Sequence, residues 1–379
     1  MTTQTQAPGP VNTIMMASGA ALLVSLAFAF TNLISSGHAS FNTASDGVTW
    51  GLLVVTYVFL SMASTGLAMV AAMAAMFDAR QYAPLIKRCT WLSIITLVAG
   101  FATLALEMGH PFRMLWAVPL NFQPASAMVW MGIFYSICLV LLAFKFTKMH
   151  GGNWSGEGLT KAGFVVEVLA LGTLGSAFGL MAMRPVWFGA EVPLLFLACG
   201  AVIGVAFAVL INQLTYGMDD KAMPDRVRSV MTGSLPKLFA ATLGIYLVFL
   251  LFRTVNGLWT NAEGFEVVSA MVTSPWFMIE VIALVGAFII MISPAMRAVG
   301  TLQVVAAVAT IVAMFIGRYE FVIGGQLVPM FKGAWVPGLI SYTPSTTEWM
   351  ITLMAFSLVF AGWAIGEKML NLSAAPDEK

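Results

Sequence analysis

The chain contains ten apolar runs of about 20 residues or longer, and this pattern constrains its fold more than any other feature. The runs lie at residues 13–35, 50–76, 88–108, 126–147, 162–183, 190–212, 236–257, 275–293, 297–318 and 348–367. A helix needs about 20 apolar residues to cross the hydrocarbon core of a bilayer. Only 9% of the residues are charged, too few to cover a water-facing surface of this size. The sequence therefore predicts an all-α membrane protein with about ten transmembrane helices.

Basic residues predict the orientation of these helices. Thirteen of the 18 Lys and Arg residues lie on one side of the predicted membrane and five on the other. Because cytoplasmic connections are enriched in Lys and Arg, we expect both termini in the cytoplasm. The polar segment 1–10 has no Lys or Arg, so we expect the first run to be a true span and not a cleaved signal peptide.

The cysteine and histidine positions bear on metal and haem binding. Three cysteines lie far apart inside apolar runs and three histidines fall in polar connections: Cys89, Cys138, Cys199, His38, His110 and His150. This spacing provides neither a disulfide framework nor a C-x-x-C site. A haem held between helices needs histidines within the spans, so we expect no haem, iron–sulfur cluster or metal site in this chain. A net charge of +1 argues against nucleic-acid binding.

A first group of polar and aromatic residues borders spans 1 to 4 on the side with few basic residues. It comprises Asn32, His38, Asp46, Trp50, Glu107, His110, Arg113 and Tyr135. Polar groups at the membrane are costly unless satisfied, and therefore informative. Tyr or His donors beside a carboxylate and apolar walls suit a quinone, which has two carbonyls and exchanges two protons. In the alternative interpretation, Glu107 and Arg113 only pair and cap their helix.

A second group lies in and around spans 5 to 9. It comprises Glu167, Glu191, Arg253, Glu280, Arg318 and Gln326. Glu280 lies more than one helical turn inside its span, and Glu167 lies at a similar depth from the opposite side. Carboxylates entering from opposite faces favour a proton route through the helices. The alternative is that each carboxylate pairs with an arginine of a neighbouring helix and only stabilises packing.

Four stretches, taken in order, resemble the integral membrane subunits of the polysulfide reductase/NrfD family, especially its ten-helix branch. They are residues 42–57, 106–113, 191–200 and 318–348, and the segment SPWFMIE ending at Glu280 is also similar. The resemblance implies two four-helix bundles plus flanking helices, with a quinone site on the outer side of the first bundle. We accordingly assign residues 1–150 to an N-terminal bundle with the quinone site. Residues 151–379 are assigned to a C-terminal bundle with the proton route and outer docking loops.

The resemblance also implies a function. Members of this family are membrane subunits of respiratory oxidoreductase complexes that exchange electrons with menaquinone or ubiquinone and hold no haem or iron–sulfur cluster. They anchor an iron–sulfur subunit and a catalytic subunit: a molybdopterin enzyme, hydrogenase or multihaem cytochrome. The implied location is the lipid of the bacterial inner (cytoplasmic) membrane, as a multi-pass protein.

The family's site residues can be carried over by position. Glu107, His110 and Arg113 match the span-3 motif. By its place in span 4, Tyr135 resembles a quinone-bonding tyrosine, and His38 and Asn32 resemble polar span-1 contacts. Proton translocation through Glu280 and Arg318 is implied for part of the family.

Two other functions are compatible with the residues alone. Ten helices with Gly and Pro interruptions and buried carboxylates also suit a secondary transporter, which would have a midplane site and an inverted repeat. An inert anchor would use the same outer loops to hold a partner but would bind no quinone.

Overall fold

A computed structural model describes residues 9–44, 47–152, 156–329 and 338–373. Within these ranges ten helices are long and apolar enough to span a membrane. They are α1 (Gly9–Ser36), α2 (Leu52–Phe77), α3 (Ile86–Glu107), α4 (Ala127–His150), α5 (Glu157–Gly179), α6 (Val192–Thr215), α7 (Leu235–Trp259), α8 (Pro275–Ile292), α9 (Gly300–Gly324) and α10 (Thr346–Met369). The described residues contain no β-strand. The predicted all-α fold and number of spans are confirmed.

The largest difference from the predicted spans is at the end of α9. The predicted run ends at Arg318, whereas the helix continues to Gly324. Arg318 is 3% exposed and Glu320 is 9% exposed. The helix can continue through these residues because neighbouring helices cover them, which hydropathy along one segment does not show.

The helices form two four-helix groups. In the first bundle α2 contacts α3 and α5, while α4 packs between α3 and α5. In the second bundle α6 contacts α7 and α9, while α8 packs between α7 and α9. The flanking helices α1 and α10 pack on each other, and α10 lies against α3. The first bundle therefore runs from residue 52 to residue 179, so the boundary that we placed at residue 150 falls inside it and α1 lies outside it.

The two bundles meet where α2 crosses α6, and glycines permit a close approach there. A Cβ atom at Gly66 would overlap the backbone carbonyl oxygen of Gly200, and one at Gly204 would overlap the backbone of Gly66. Small residues at such crossings allow helix backbones to pack directly on each other in a membrane.

A buried ion pair joins the start of α3 to the end of α10, and its arginine also contacts α6. The Arg88 guanidinium, 1% exposed, donates from Nε to Glu367 Oε1 at 2.5 Å and from Nη2 to Oε2 at 3.2 Å. Its Nη1 donates to Asn212 Oδ1 on α6. The pair therefore joins α10 to both bundles.

The end of the molecule that carries the longer connections is called the long-loop face below. The described parts of these connections are residues 37–44 and 47–51, 108–126, 180–191, 260–274, and 325–329 and 338–345. Two helices start there with side-chain caps. The Ser274 hydroxyl accepts from the Phe277 amide at the start of α8, and Ser345 forms a capping box with Glu348 at the start of α10.

Candidate functional site

At the long-loop face of the first bundle, α3 ends at Glu107. The Glu107 side chain is half-buried, and its Oε2 has no hydrogen-bond partner among the described residues. The exposed imidazole of His38 reaches the end of the same helix, with Nε2 3.2 Å from the carbonyl oxygen of Leu106. A carboxyl group and an imidazole from two parts of the chain therefore meet at this face.

Two residues of the predicted span-3 motif lie exposed and make no described contact with Glu107. His110 and Arg113 are both exposed, and the Arg113 guanidinium lies 5.8 Å from the ring centroid of Trp116. Among the described ion pairs there is none between Arg113 and Glu107. The alternative in which these two residues pair and cap the helix is therefore wrong.

Tyr135 lies deeper, in the core of the first bundle. Its side chain is 1% exposed, and its hydroxyl has no hydrogen-bond partner among the described residues. The ring packs edge-on against Phe101 of α3, which stacks on Tyr57 of α2. Phe101 lies less than two turns before Glu107 on the same helix, so this aromatic layer adjoins the carboxyl group at the long-loop face.

Below this layer, polar groups continue toward the opposite face. Thr65 of α2 lies close to both the Tyr135 hydroxyl and the Glu167 carboxyl group. Glu167 is 2% exposed, and its Oε1 has no hydrogen-bond partner within the described ranges. Glu167, Lys145 and Thr160 line a small cavity of about 20 Å³, which is enough for one water molecule.

Two predicted site residues have other surroundings, and a third lies outside the described residues. The Asn32 amide donates to the carbonyl oxygen of Phe28 on its own helix at 3.0 Å. Trp50 stacks on Trp187 with ring centroids 5.4 Å apart, and so packs toward the second bundle. Asp46 lies outside the described residues.

Gln326 connects the end of α9 to the segment before α2. Its side-chain oxygen accepts from the Thr49 amide, the Thr49 hydroxyl and the Trp50 amide at 2.9–3.0 Å. Its side-chain nitrogen donates to the carbonyl oxygens of Trp50 and Val322. With both ends of the amide occupied and the side chain 1% exposed, Gln326 has a positioning role at this junction.

The second bundle contains a denser ionisable cluster. The Arg318 Nη2 donates to the Tyr246 hydroxyl at 3.3 Å, and that hydroxyl donates to Glu280 Oε1 at 3.2 Å. Glu280 is 2% exposed. Ser274 donates to Glu320 Oε1 at 2.8 Å, and Arg318 and Glu320 lie on the same helix.

A cavity of about 740 Å³ adjoins this cluster. Tyr246, Glu280, Arg318 and Glu320 line it. Arg253 also lines it, donates to the Val186 carbonyl oxygen at 2.8 Å, and lies 4.6 Å from the ring centroid of Phe321. The predicted residue Glu191 lines the same cavity from an exposed position.

The structure does not bring Glu167 and Glu280 together. Glu167 belongs to α5 in the first bundle and Glu280 to α8 in the second. Of the predicted proton-route residues, Glu167 lies in the first bundle and Gln326 at the junction before α2, whereas the second-bundle cavity is lined by Glu191, Arg253, Glu280 and Arg318.

Sequence reasoning missed Glu348, which connects the long-loop segments. This carboxylate is fully buried and accepts from the Asn42 amide at 3.2 Å, the Ser345 amide at 2.8 Å and the Tyr342 hydroxyl. Burial, aided by the neighbouring Glu348, holds the pKa of Tyr342 well above its usual range, so the phenol remains a donor. The S-T-T-E capping pattern at residues 345–348 was the available signal.

Tyr246 and Thr65 were also missed. Both are single polar residues in apolar helices, where sequence does not show which neighbours they meet.

These features define an integral membrane protein with ten spanning helices and buried ionisable groups in both bundles. The three cysteines are buried and free, and no group of three or more potential metal ligands occurs within the described ranges. The family model of polysulphide reductase NrfD matches residues 41–330. The chain therefore belongs to the NrfD polysulphide reductase family.

Two relatives are similar over most of their length. One is the Hdr-like menaquinol oxidoreductase integral membrane subunit of Archaeoglobus fulgidus, 22% identical over 360 residues, covering 87% of each chain. The other is a selenate reductase subunit of Mesobacillus selenatarsenatis, 23% identical over 368 residues, covering 83% of this chain and 84% of the relative.

Proposed function

We propose that this protein is the quinone-reactive membrane subunit of a respiratory oxidoreductase complex. The observation that carries the proposal is the family match over residues 41–330, which includes both bundles. A menaquinol oxidoreductase subunit and a selenate reductase subunit are similar over more than four fifths of the chain. The match favours this function over a secondary transporter.

The proposed quinone site lies at the long-loop face of the first bundle. The Tyr135 hydroxyl, which lies close to Thr65, and Glu107 Oε2 are buried polar atoms without hydrogen-bond partners among the described residues, and we propose the oxygens of a quinone as their partners. A bound quinone supplies the two-electron redox chemistry. Tyr135 donates a hydrogen bond to a carbonyl oxygen, and Glu107 with His38 exchanges protons with the surface. Menaquinone is the proposed species, since one relative is named for menaquinol.

Partners dock at the long-loop face in this proposal. The five connections there are longer on average than those at the opposite face and include exposed aromatic side chains such as Phe112 and Trp116. An iron–sulfur subunit at this face would lie next to Glu107 and pass electrons to or from the quinone, and a catalytic subunit would complete the complex. We place this face outside the bacterial inner membrane, because the opposite connections hold most of the Lys and Arg residues.

The proposed proton exchange divides between the two bundles. In the first bundle, Thr160, Lys145 and Glu167 lead from the face opposite the long loops to Thr65, which lies close to Tyr135. Glu167 would hold or transfer the proton along this series. In the second bundle, Glu280 and Arg318 form a separate candidate group through Tyr246.

Tyr135→Phe tests the quinone site. Removing a hydrogen bond of about 0.5–1.5 kcal/mol should slow quinone-linked turnover of the purified complex roughly 2- to 10-fold. The partner's reaction with an artificial dye should not change. Tyr82→Phe is the matched control, because Tyr82 is also buried but lies in the connection between α2 and α3 at the other face. Equal losses in the quinone and dye assays would show that Tyr135 is structural.

Glu167→Gln tests the proton series. In proteoliposomes containing the complex, the variant should bind quinone normally and slow proton exchange with the face opposite the long loops. A pH-sensitive dye trapped on that side measures the exchange. Glu157→Gln is the control, because Glu157 on the same helix is exposed and pairs with Lys161. Unchanged proton exchange in Glu167→Gln would remove this carboxyl group from the route.

A further inference from the structure

The large cavity of the second bundle has the size and lining of a ligand site. Its volume of about 740 Å³ lies within the range of 300–1,000 Å³ that is common for small-molecule pockets. Most of its wall is apolar, and Arg318 and Glu280 are among the few charged residues that line it. This site is distinct from the first-bundle site, because its lining residues come from α6 to α9 and their connections and not from α2 to α5.

Arg318 lines this cavity and carries hydrogen-bond donors that have no acceptor among the described residues. The side chain is 3% exposed, and only Nη2 donates, to the Tyr246 hydroxyl. Nε and Nη1 are buried and have no hydrogen-bond partner within the described ranges, although the guanidinium lies 5.8 Å and 5.5 Å from the ring centroids of Phe196 and Phe321. Buried donors of a guanidinium group are rarely left without an acceptor, so a ligand oxygen is the expected partner.

The neighbouring charges favour an uncharged acceptor over an anion. The carboxyl groups of Glu280 and Glu320 line the same cavity as Arg318. Arg253 donates to a backbone carbonyl and covers the ring of Phe321. A phosphate group placed at Arg318 would face two carboxyl groups, whereas a carbonyl oxygen accepts from the guanidinium without adding charge.

The cavity is accessible from the side of the bundle. Ile245, Val248 and Phe252 of α7 line it and are 56%, 54% and 60% exposed. In a membrane-spanning helix, side chains exposed to the outside meet lipid. A ligand reaches Arg318 from the lipid along this apolar opening and can leave an apolar tail within it.

We propose that the second-bundle cavity binds a second quinone-type lipid, with a ring carbonyl accepting from Arg318 and the tail leaving beside Val248. This inference rests on the proposed function and adds a binding site to it. Two kinds of ligand offer a carbonyl oxygen on a lipid-soluble molecule: a quinone, through its ring, and a phospholipid, through its ester groups. We commit to the quinone because its flat, uncharged head avoids placing a phosphate near Glu280 and Glu320.

The test is the binding stoichiometry of a short-tailed menaquinone, titrated into the purified complex in phosphatidylcholine nanodiscs. The native protein should bind two equivalents per chain. Arg318→Lys retains the charge but removes the Nε and Nη1 donors, and should weaken binding of one equivalent at least tenfold. Val248→Trp fills the lipid-side opening without changing the polar cluster, and should have the same effect. Leu251→Trp is the matched control, because Leu251 is exposed on the same helix but does not line the cavity.

The outcomes separate the two proposals. Suppose that the native protein binds one equivalent of quinone, and that Tyr135→Phe weakens this binding whereas Val248→Trp does not change it. This result would overturn the second site, while the proposed function would stand. Absence of any quinone binding would contradict the proposed function itself. One equivalent of quinone, together with a tightly held phospholipid that Val248→Trp releases in lipid extracts, would assign the cavity to structural lipid and also overturn the inference.

Discussion

Replacing Glu367 with Gln removes one charge from the buried pair that joins α10 to the two bundles. Arg88 is 1% exposed and Glu367 is 7% exposed, so solvent screens neither group well. Breaking a buried pair by neutralising one partner costs about 3–5 kcal/mol, because the other charge remains buried without compensation. Asn212 still accepts from Arg88, which favours the lower end of this range. We expect Glu367→Gln to lower the free energy of unfolding by about 3 kcal/mol.

The double variant Arg88→Met with Glu367→Met provides the comparison. It removes both charges and leaves the Asn212 acceptor and the Trp363 Nε1 donor unfilled, so its cost should be about 1–2 kcal/mol. Thermal unfolding in detergent can be followed with a thiol-reactive dye, because Cys89, Cys138 and Cys199 are all buried and free. Glu367→Gln should expose the cysteines at a clearly lower temperature than the double variant. Equal unfolding temperatures for these two variants would refute the uncompensated-charge argument.

Two further predictions concern the contacts that hold the bundles together. Gly66→Ala should lower the free energy of unfolding by about 3 kcal/mol or more in the same assay, because the added Cβ overlaps the Gly200 carbonyl oxygen. Gly172→Ala is the control and should not change stability, because Gly172 has open space around it. Gln326→Leu should destabilise the protein by about 2–4 kcal/mol, because it removes the hydrogen bonds to residues 49 and 50. A variant as stable as the native protein would contradict the positioning role of Gln326.

The ten spans could be predicted from sequence because the length of an apolar run directly reflects the thickness of the bilayer. The end of α9 could not, since Arg318 and Glu320 are tolerated in the helix only because other helices cover them. The grouping of the helices could not be predicted from local sequence patterns either. Which helix α1 packs on depends on contacts with α10, more than 300 residues later in the chain.

The candidate site was predicted in part. Glu107 and Tyr135 stood out as polar residues near one face, and each carries an oxygen atom with no hydrogen-bond partner in the part of the chain that the structure describes. Thr65 did not stand out, because a threonine in an apolar helix is common and its position between Tyr135 and Glu167 arises only from packing. Gln326 has the residue type of a site group, but its amide is fully used in holding the chain before α2.

The most direct test of the account is electron transfer between a menaquinol analogue and the redox centres of the partner subunits, measured in the complex purified from native membranes. Complexes with and without this chain should react equally with an artificial dye. Only the complex that contains the chain should react with the quinone pool. Quinone-linked electron transfer that continues at the same rate without this chain, or that is absent from a complex with all subunits present, would contradict the account.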